Sequence, residues 1–176
     1  MTTILATLDG SGESRAVLPI LKAVATGLKA EVRLLTVVHP PDVVPGGREP
    51  PSVPIGEAQA VGPGPSDANL PRLGHVNPRG HGETRDQAIA RVEHVALEQL
   101  EEAAKPLRDA GLSVKPEVIM ADNAAPVIIG AARDAKVDLI AMATHGRSGL
   151  RAIVQGSVAT EVLRSGVAPV LLVRPQ

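Results

Sequence analysis

The chain has 176 residues, long enough for one domain that buries about 70% of the surface its unfolded form exposes. With 18 Lys plus Arg against 19 Asp plus Glu, the formal net charge is -1, and no global field draws the protein to nucleic acid or an anionic membrane. The absence of Phe, Tyr and Trp removes the stacking platforms of single-strand readers, and the absence of Cys excludes thiolate nucleophiles, disulfides and Cys-ligated metals.

Ile4 to Leu8 reads as a buried strand closed by the turn Asp9-Gly10-Ser11-Gly12. Val17, Ile20, Leu21, Val24 and Leu28 then form one helical stripe, with Ser11 or Gly12 near the helix start and Glu13 in its first turn. Val32 to Val38 is a second strand, apolar enough for burial on both faces of a parallel sheet. From Pro40 to Glu83 the composition shifts: 10 Pro and 8 Gly among 44 residues, without period, predict a long irregular or disordered insertion. His75 and His81 fall in it and lack a third nearby ligand, so solvation is favoured over metal binding.

Thr84-Arg85-Asp86-Gln87 matches a capping box, and Ile89, Val92, Ala96, Leu100, Ala103 and Leu107 carry the helical stripe on towards Gly111. Pro106 should kink or loosen its last turns. Val114 to Met120 is the third strand, Asn123 caps a helix reaching about Ala135, and Leu139 to Ala143 is the fourth strand. Ser157 opens a helix to about Ser165, and Val170 to Val173 is the fifth strand. Alternating strands and helices with right-handed crossovers give a doubly wound α/β fold with helices on both faces of a parallel sheet. The region 1–176 is thus expected to be a single domain carrying one insertion. Ligands in such folds bind beyond the carboxyl ends of the strands, where the strand order reverses. The start Met1-Thr2-Thr3-Ile4-Leu5 has no basic n-region, and no apolar run approaches the roughly 20 residues of a membrane span, so a soluble cytoplasmic protein is expected.

Two strand ends carry candidate chemistry. Thr7-Leu8-Asp9-Gly10-Ser11 places a carboxylate at a strand tip, and Ala143-Thr144-His145-Gly146-Arg147-Ser148-Gly149 leads, through Gln155, to Gly156-Ser157 at a helix start. Free amides at a helix amino terminus, with Gly beside them, suit a phosphate; Gly146 and Gly156 would form two walls, Ser157 a hydroxyl, and His145 or Arg147 a side-chain donor. The alternative is that the same glycines only make a turn and a cap. The P-loop motif is absent, and Gly10-Ser11-Gly12-Glu13-Ser14-Arg15 ends in Arg where a dinucleotide fingerprint needs Gly. Neither a Gly-x-Ser-x-Gly elbow nor a nucleophile beside a base is visible, so dedicated hydrolytic catalysis is unsupported.

These segments resemble the universal stress protein family: Ile4 to Ser11, Leu34-Leu35-Thr36-Val37-Val38, and Ala143 to Gly149 through Gly156-Ser157-Val158 to Pro169-Val170-Leu171-Leu172-Val173. The resemblance implies a five-stranded sheet in the order 3-2-1-4-5. Adenine-nucleotide-binding members carry Gly-x2-Gly-x9-Gly-Ser/Thr; here Gly146, Gly156 and Ser157 match, while Ala143 stands in the first Gly position. By the same resemblance, Thr7 would line the adenine pocket, Asp9 would touch the adenosine part, and Val37 would offer peptide groups to the base edge. Ala143, His145, Gly146, Gly156, Ser157 and Val158 would surround ribose and phosphates. The implied ligand is ATP, or AMP or ADP, with Mg or Mn on the phosphates, held by a regulator that dimerises through its last strand. The rival reading is a nucleotide-free interaction module of the same fold, favoured by Ala143.

Overall fold

The structure is a computed structural model, and it describes residues 1–41, 84–143 and 158–175. Its elements are β1 (Thr3–Thr7), α1 (Val17–Leu28), β2 (Glu31–Val38), α2 (Arg85–Arg108), β3 (Val114–Met120), α3 (Ala124–Asp134), β4 (Leu139–Ala143), α4 (Val158–Ser165) and β5 (Val170–Val173). The strands pair in parallel in the order β3-β2-β1-β4-β5. Chain direction across the sheet therefore reverses between β1 and β4, where Thr7 lies between Leu35 of β2 and Met142 of β4.

Alternation along each strand divides the core into two layers. Ile4, Ala6, Val32, Leu34 and Ala141 pack with Val17, Leu21 and Ala25 of α1 and with Leu100, Ala104 and Leu107 of α2. On the opposite face Leu5, Leu35, Ile140 and Met142 pack with Ala125, Ile128 and Ala132 of α3 and Val162 of α4. Each fully buried Leu or Ile contributes about 1.5 to 3 kcal/mol by leaving water, and the two layers supply what aromatic side chains would in another domain.

Local chemistry accounts for the helix boundaries. The Thr84 hydroxyl accepts from the Gln87 amide at 3.3 Å while the Gln87 side chain accepts from the Thr84 N–H at 2.9 Å, completing the expected capping box. The Asn123 side chain caps α3 by accepting from the Ala125 N–H at 3.2 Å. A single 3-10 turn over Ser14–Ala16 precedes α1, so Glu13 flanks that turn and lies outside the helix's first turn.

One expectation needs correction. Ile20 and Leu28 belong to the apolar period of α1 yet are exposed, because only the narrower row Val17, Leu21 and Ala25 meets the sheet. α2 runs on through Pro106 to Arg108, with the proline on the exposed side and the Asp109 N–H bonded to the Lys105 carbonyl at 2.9 Å. The insertion expected between Pro40 and Glu83 lies almost wholly outside the described residues.

The two sheet edges differ in chemistry. The Ala121 N–H donates to the Val38 carbonyl, so by alternation Val114, Pro116, Val118 and Met120 turn their peptide groups away from β2. Pro116 has no N–H to offer there, and the Arg108 guanidinium covers the Val114 carbonyl at 3.3 Å. On the other edge the Ile140 N–H donates to the Pro169 carbonyl, which leaves the peptide groups of Val170 and Leu172 facing outward. Neither a proline nor a charged residue interrupts β5.

Candidate functional site

At the carboxyl ends of the strands, β2 outruns β1. The last bond between them is from the Leu8 N–H to the Leu35 carbonyl at 2.9 Å, whereas β2 continues to Val38. Peptide groups of alternate residues in a strand point to opposite neighbours. Because Leu35 turns toward β1 and Val38 toward β3, Val37 directs its N–H and C=O to the β1 side, past the end of β1. The result is a short length of strand edge inside the domain, offering one donor and one acceptor over the tip of β1.

The chain leaves β1 through a turn built on Asp9. Its Oδ1 accepts from the Ser11 N–H at 2.9 Å and from the Ser11 hydroxyl at 2.6 Å. The Ser11 Oγ in turn accepts from the Ser14 N–H at 3.1 Å, and the buried Ser14 hydroxyl donates to the Ser11 carbonyl at 2.8 Å. Gly10 takes φ +79°, a conformation costly for a residue with a Cβ, and this lets the carboxylate fold back over its own turn. Asp9 is therefore held at the strand tip by its turn.

Thr7 and Ala143 end neighbouring strands, Ala143 being paired in register with Val173 on its far side. Val158 is the first residue of α4, and the side chains of Ala159 and Thr160 behind it are buried. The structure thus brings Thr7, Asp9, Val37 and Ala143 to one end of the sheet. His145, Gly146, Arg147, Gly156 and Ser157 lie outside the described residues, as do His75 and His81.

Four polar residues at this end do not stand out in the sequence: Thr36, Gln99, His39 and Asp122. Thr36 is buried within the apolar run of β2, and it lines a small recess with Arg15 and Gln99. A polar residue inside a buried strand is the signal that could have marked Thr36; Gln99 becomes visible only when α2 folds across. His39 and Asp122, at the tips of β2 and β3, are 3.5 Å apart and exposed. Among the described residues, no group of three or more His, Cys, Asp or Glu side chains is placed to hold a metal. No helix among them is long and apolar enough to cross a membrane.

The clearest charge perturbation lies at the opposite end of the sheet. A hydrogen bond from Arg108 holds the Glu101 carboxyl below its ordinary range and raises the Arg108 guanidinium in return. This pair buttresses the β3 edge and takes no part in the strand-tip crevice.

A five-stranded parallel sheet with helices on both faces, reversing at β1 and β4 with a strand-edge donor and acceptor at that point, defines a doubly wound α/β protein of the kind that places ligands at a topological switch. The universal stress protein family model matches residues 71–174, more than half of the chain, and the chain belongs to that family. A universal stress protein of Methanocaldococcus jannaschii is 35% identical over 79 residues, covering 45% of this chain and 48% of that protein. One from a Synechocystis strain is 35% identical over 79 residues, covering 45% of this chain and 27% of its own length. The matched segment thus spans about half or less of these curated relatives.

Likeness in fold extends further. A universal stress protein in complex with cAMP superposes with a TM-score of 0.60 at 16% identity, over 99% of this chain and 98% of that one. One from Archaeoglobus fulgidus in complex with dAMP gives 0.53 at 17% identity, over 98% and 96%. One from Arabidopsis thaliana with AMP bound gives 0.58 at 13% identity, over 100% and 93%.

Proposed function

We propose that this chain binds an adenine nucleotide, ATP or the related AMP or ADP, in the crevice over the tips of β1, β2 and β4, and acts as a nucleotide-responsive regulator. The observation that carries the reading is Val37, whose N–H and C=O face the crevice beyond the last β1 bond. One donor beside one acceptor complements the ring nitrogen and amino group on the edge of adenine. Thr7 would line the base pocket, and Asp9, fixed by its turn, would meet the ribose side. Ala143 and Val158, with His145, Gly146, Arg147, Gly156 and Ser157, would surround the phosphates, where Mg or Mn would supply charge neutralisation. Fold neighbours holding cAMP, dAMP and AMP support the ligand class.

A ligand shifts a loop only by binding one of its arrangements better than another, so regulation here means differential affinity for arrangements of the Arg147 to Gly156 segment. Association through β5 completes the reading. Its outward peptide groups at Val170 and Leu172 invite a second copy, whereas Pro116 and Arg108 guard the β3 edge. The second reading, a nucleotide-free interaction module, is favoured by Ala143, whose methyl occupies the first Gly position of the nucleotide signature at the end of β4.

Titration calorimetry with ATP, ADP and AMP, joined to mass spectrometry of ligand released on denaturation, separates the two. Saturable heat or a released adenylate supports the nucleotide reading. A flat titration with no released ligand supports the module.

A further inference from the structure

α1 carries an apolar row that the sheet does not use. Ile20, Val24 and Leu28 recur every fourth residue and form one ridge along the helix. Ile20 is 43% exposed, Leu28 is 52% exposed, and Val24 is half-buried. Ala23 and Gly27 are exposed beside the ridge, and a Cβ built on Gly27 would meet nothing within 4 Å. Bulk and hollow thus stand side by side on one flank of the helix.

The seat of α1 fixes which way that flank looks. Val17, Leu21 and Ala25 face the sheet, and Arg15, just before the helix, reaches Glu102 of α2 at 3.5 Å. At 3.6 residues per turn, Leu18 and Lys22 fall on the α2 side of the sheet-facing row, while Ile20, Val24 and Gly27 fall on the opposite side, which carries no charged residue. The helix packs on β1 and β4, and β5 lies beyond β4 with Leu171 and Val173 on the α1 face. The uncharged flank therefore leans toward the free edge of β5.

Resting on the reading that two copies pair through β5, we propose that the Ile20–Val24–Leu28 ridge is a second contact surface of that interface, occupied by another copy of this chain. β5 has four residues. Edges about 13 Å long and one 10 Å layer deep cover on the order of 130 Å², against roughly 800 Å² per partner in a standard interface, so strand pairing needs apolar surface beside it. A two-fold axis normal to the sheet, as antiparallel pairing of two β5 edges requires, puts the same face of both copies on one side. The two ridges then run antiparallel toward each other over the joined strands, with Ile20 of one copy at the level of the hollow at Gly27 in the other.

The test is sedimentation equilibrium of the full chain carrying Ile20→Glu, Gly27→Gln or Thr26→Glu, each with a thermal melt. Ile20→Glu acts twice per dimer and should weaken association tenfold or more. Gly27→Gln fills the hollow; with open space at that Cβ and a better helix former in place of glycine, its melting temperature should hold or rise while association weakens. Thr26→Glu adds the same charge on the outward face of α1 and should leave the dimer constant unchanged. Folded Ile20→Glu and Gly27→Gln proteins with unchanged dimer constants, or equal weakening by Thr26→Glu, overturn this inference and leave pairing through β5 standing. An unaltered chain that stays monomeric at every concentration overturns both.

Discussion

Leu172→Pro transfers to β5 the device that β3 already carries at Pro116. Leu172 turns its N–H outward, so a proline there removes a donor from the free edge and leaves the ladder to β4 untouched. In a two-fold dimer formed edge to edge, one substitution acts twice. Two lost hydrogen bonds at about 0.5 to 1.5 kcal/mol each give about 1 to 3 kcal/mol, or roughly 5- to 150-fold weaker association. Charges at Leu171 or Val173 are poorer probes, because both side chains pack into the α1/α2 layer and would disturb folding as well. Sedimentation equilibrium of the two proteins, with thermal melts to show that the variant is folded, makes the measurement. A folded variant with an unchanged dimer constant would refute pairing through β5.

Lys29 and Lys136 sit at φ 49° just past α1 and α3, a left-handed conformation that a Cβ disfavours. Lys29→Gly and Lys136→Gly should each stabilise the fold by about 0.5 to 1 kcal/mol in denaturant melts, less the entropy glycine adds to the unfolded chain. Glu101 titrates lower folded than unfolded, so its pairing with Arg108 supports the fold above the unfolded carboxyl value and is lost as pH falls through the depressed one. Glu101→Gln should therefore flatten the acid limb of the melting temperature against pH, while a curve identical to the unaltered protein's would count against the pair. Gly156→Val, placing a branched Cβ at the proposed phosphate cradle, should weaken ATP binding tenfold or more by calorimetry. Equal affinity would remove Gly156 from the site.

Much of this architecture could be read from residue order. β4 and β5 begin and end where their apolar runs do, β3 spans Val114–Met120 as its sequence suggests, and Thr84 and Asn123 cap the helices their types announce. The Ile20 and Leu28 positions misled because periodicity records which residues share a helix face, and how much of that face is covered depends on the helix's seat over the sheet. The turn at Asp9 was legible as a strand-tip carboxylate, but its bonds to Ser11 needed geometry. The orientation of the Val37 peptide depends on which β1 residue makes the last ladder bond, a matter of register between strands far apart in sequence. The Thr36 recess depends on α2 crossing the sheet at Gln99 and Leu100, which no local pattern states.

Amide shift mapping by NMR during titration with AMP addresses the central claim most directly, because it reports each strand tip separately. The account predicts saturable shifts at Thr7, Asp9, Gly10, Val37 and Ala143, with the Val37 amide among the largest, and little change along α1 or at Arg108. Shifts confined to other surfaces, or none at an adenylate concentration that saturates any measured heat, would contradict it.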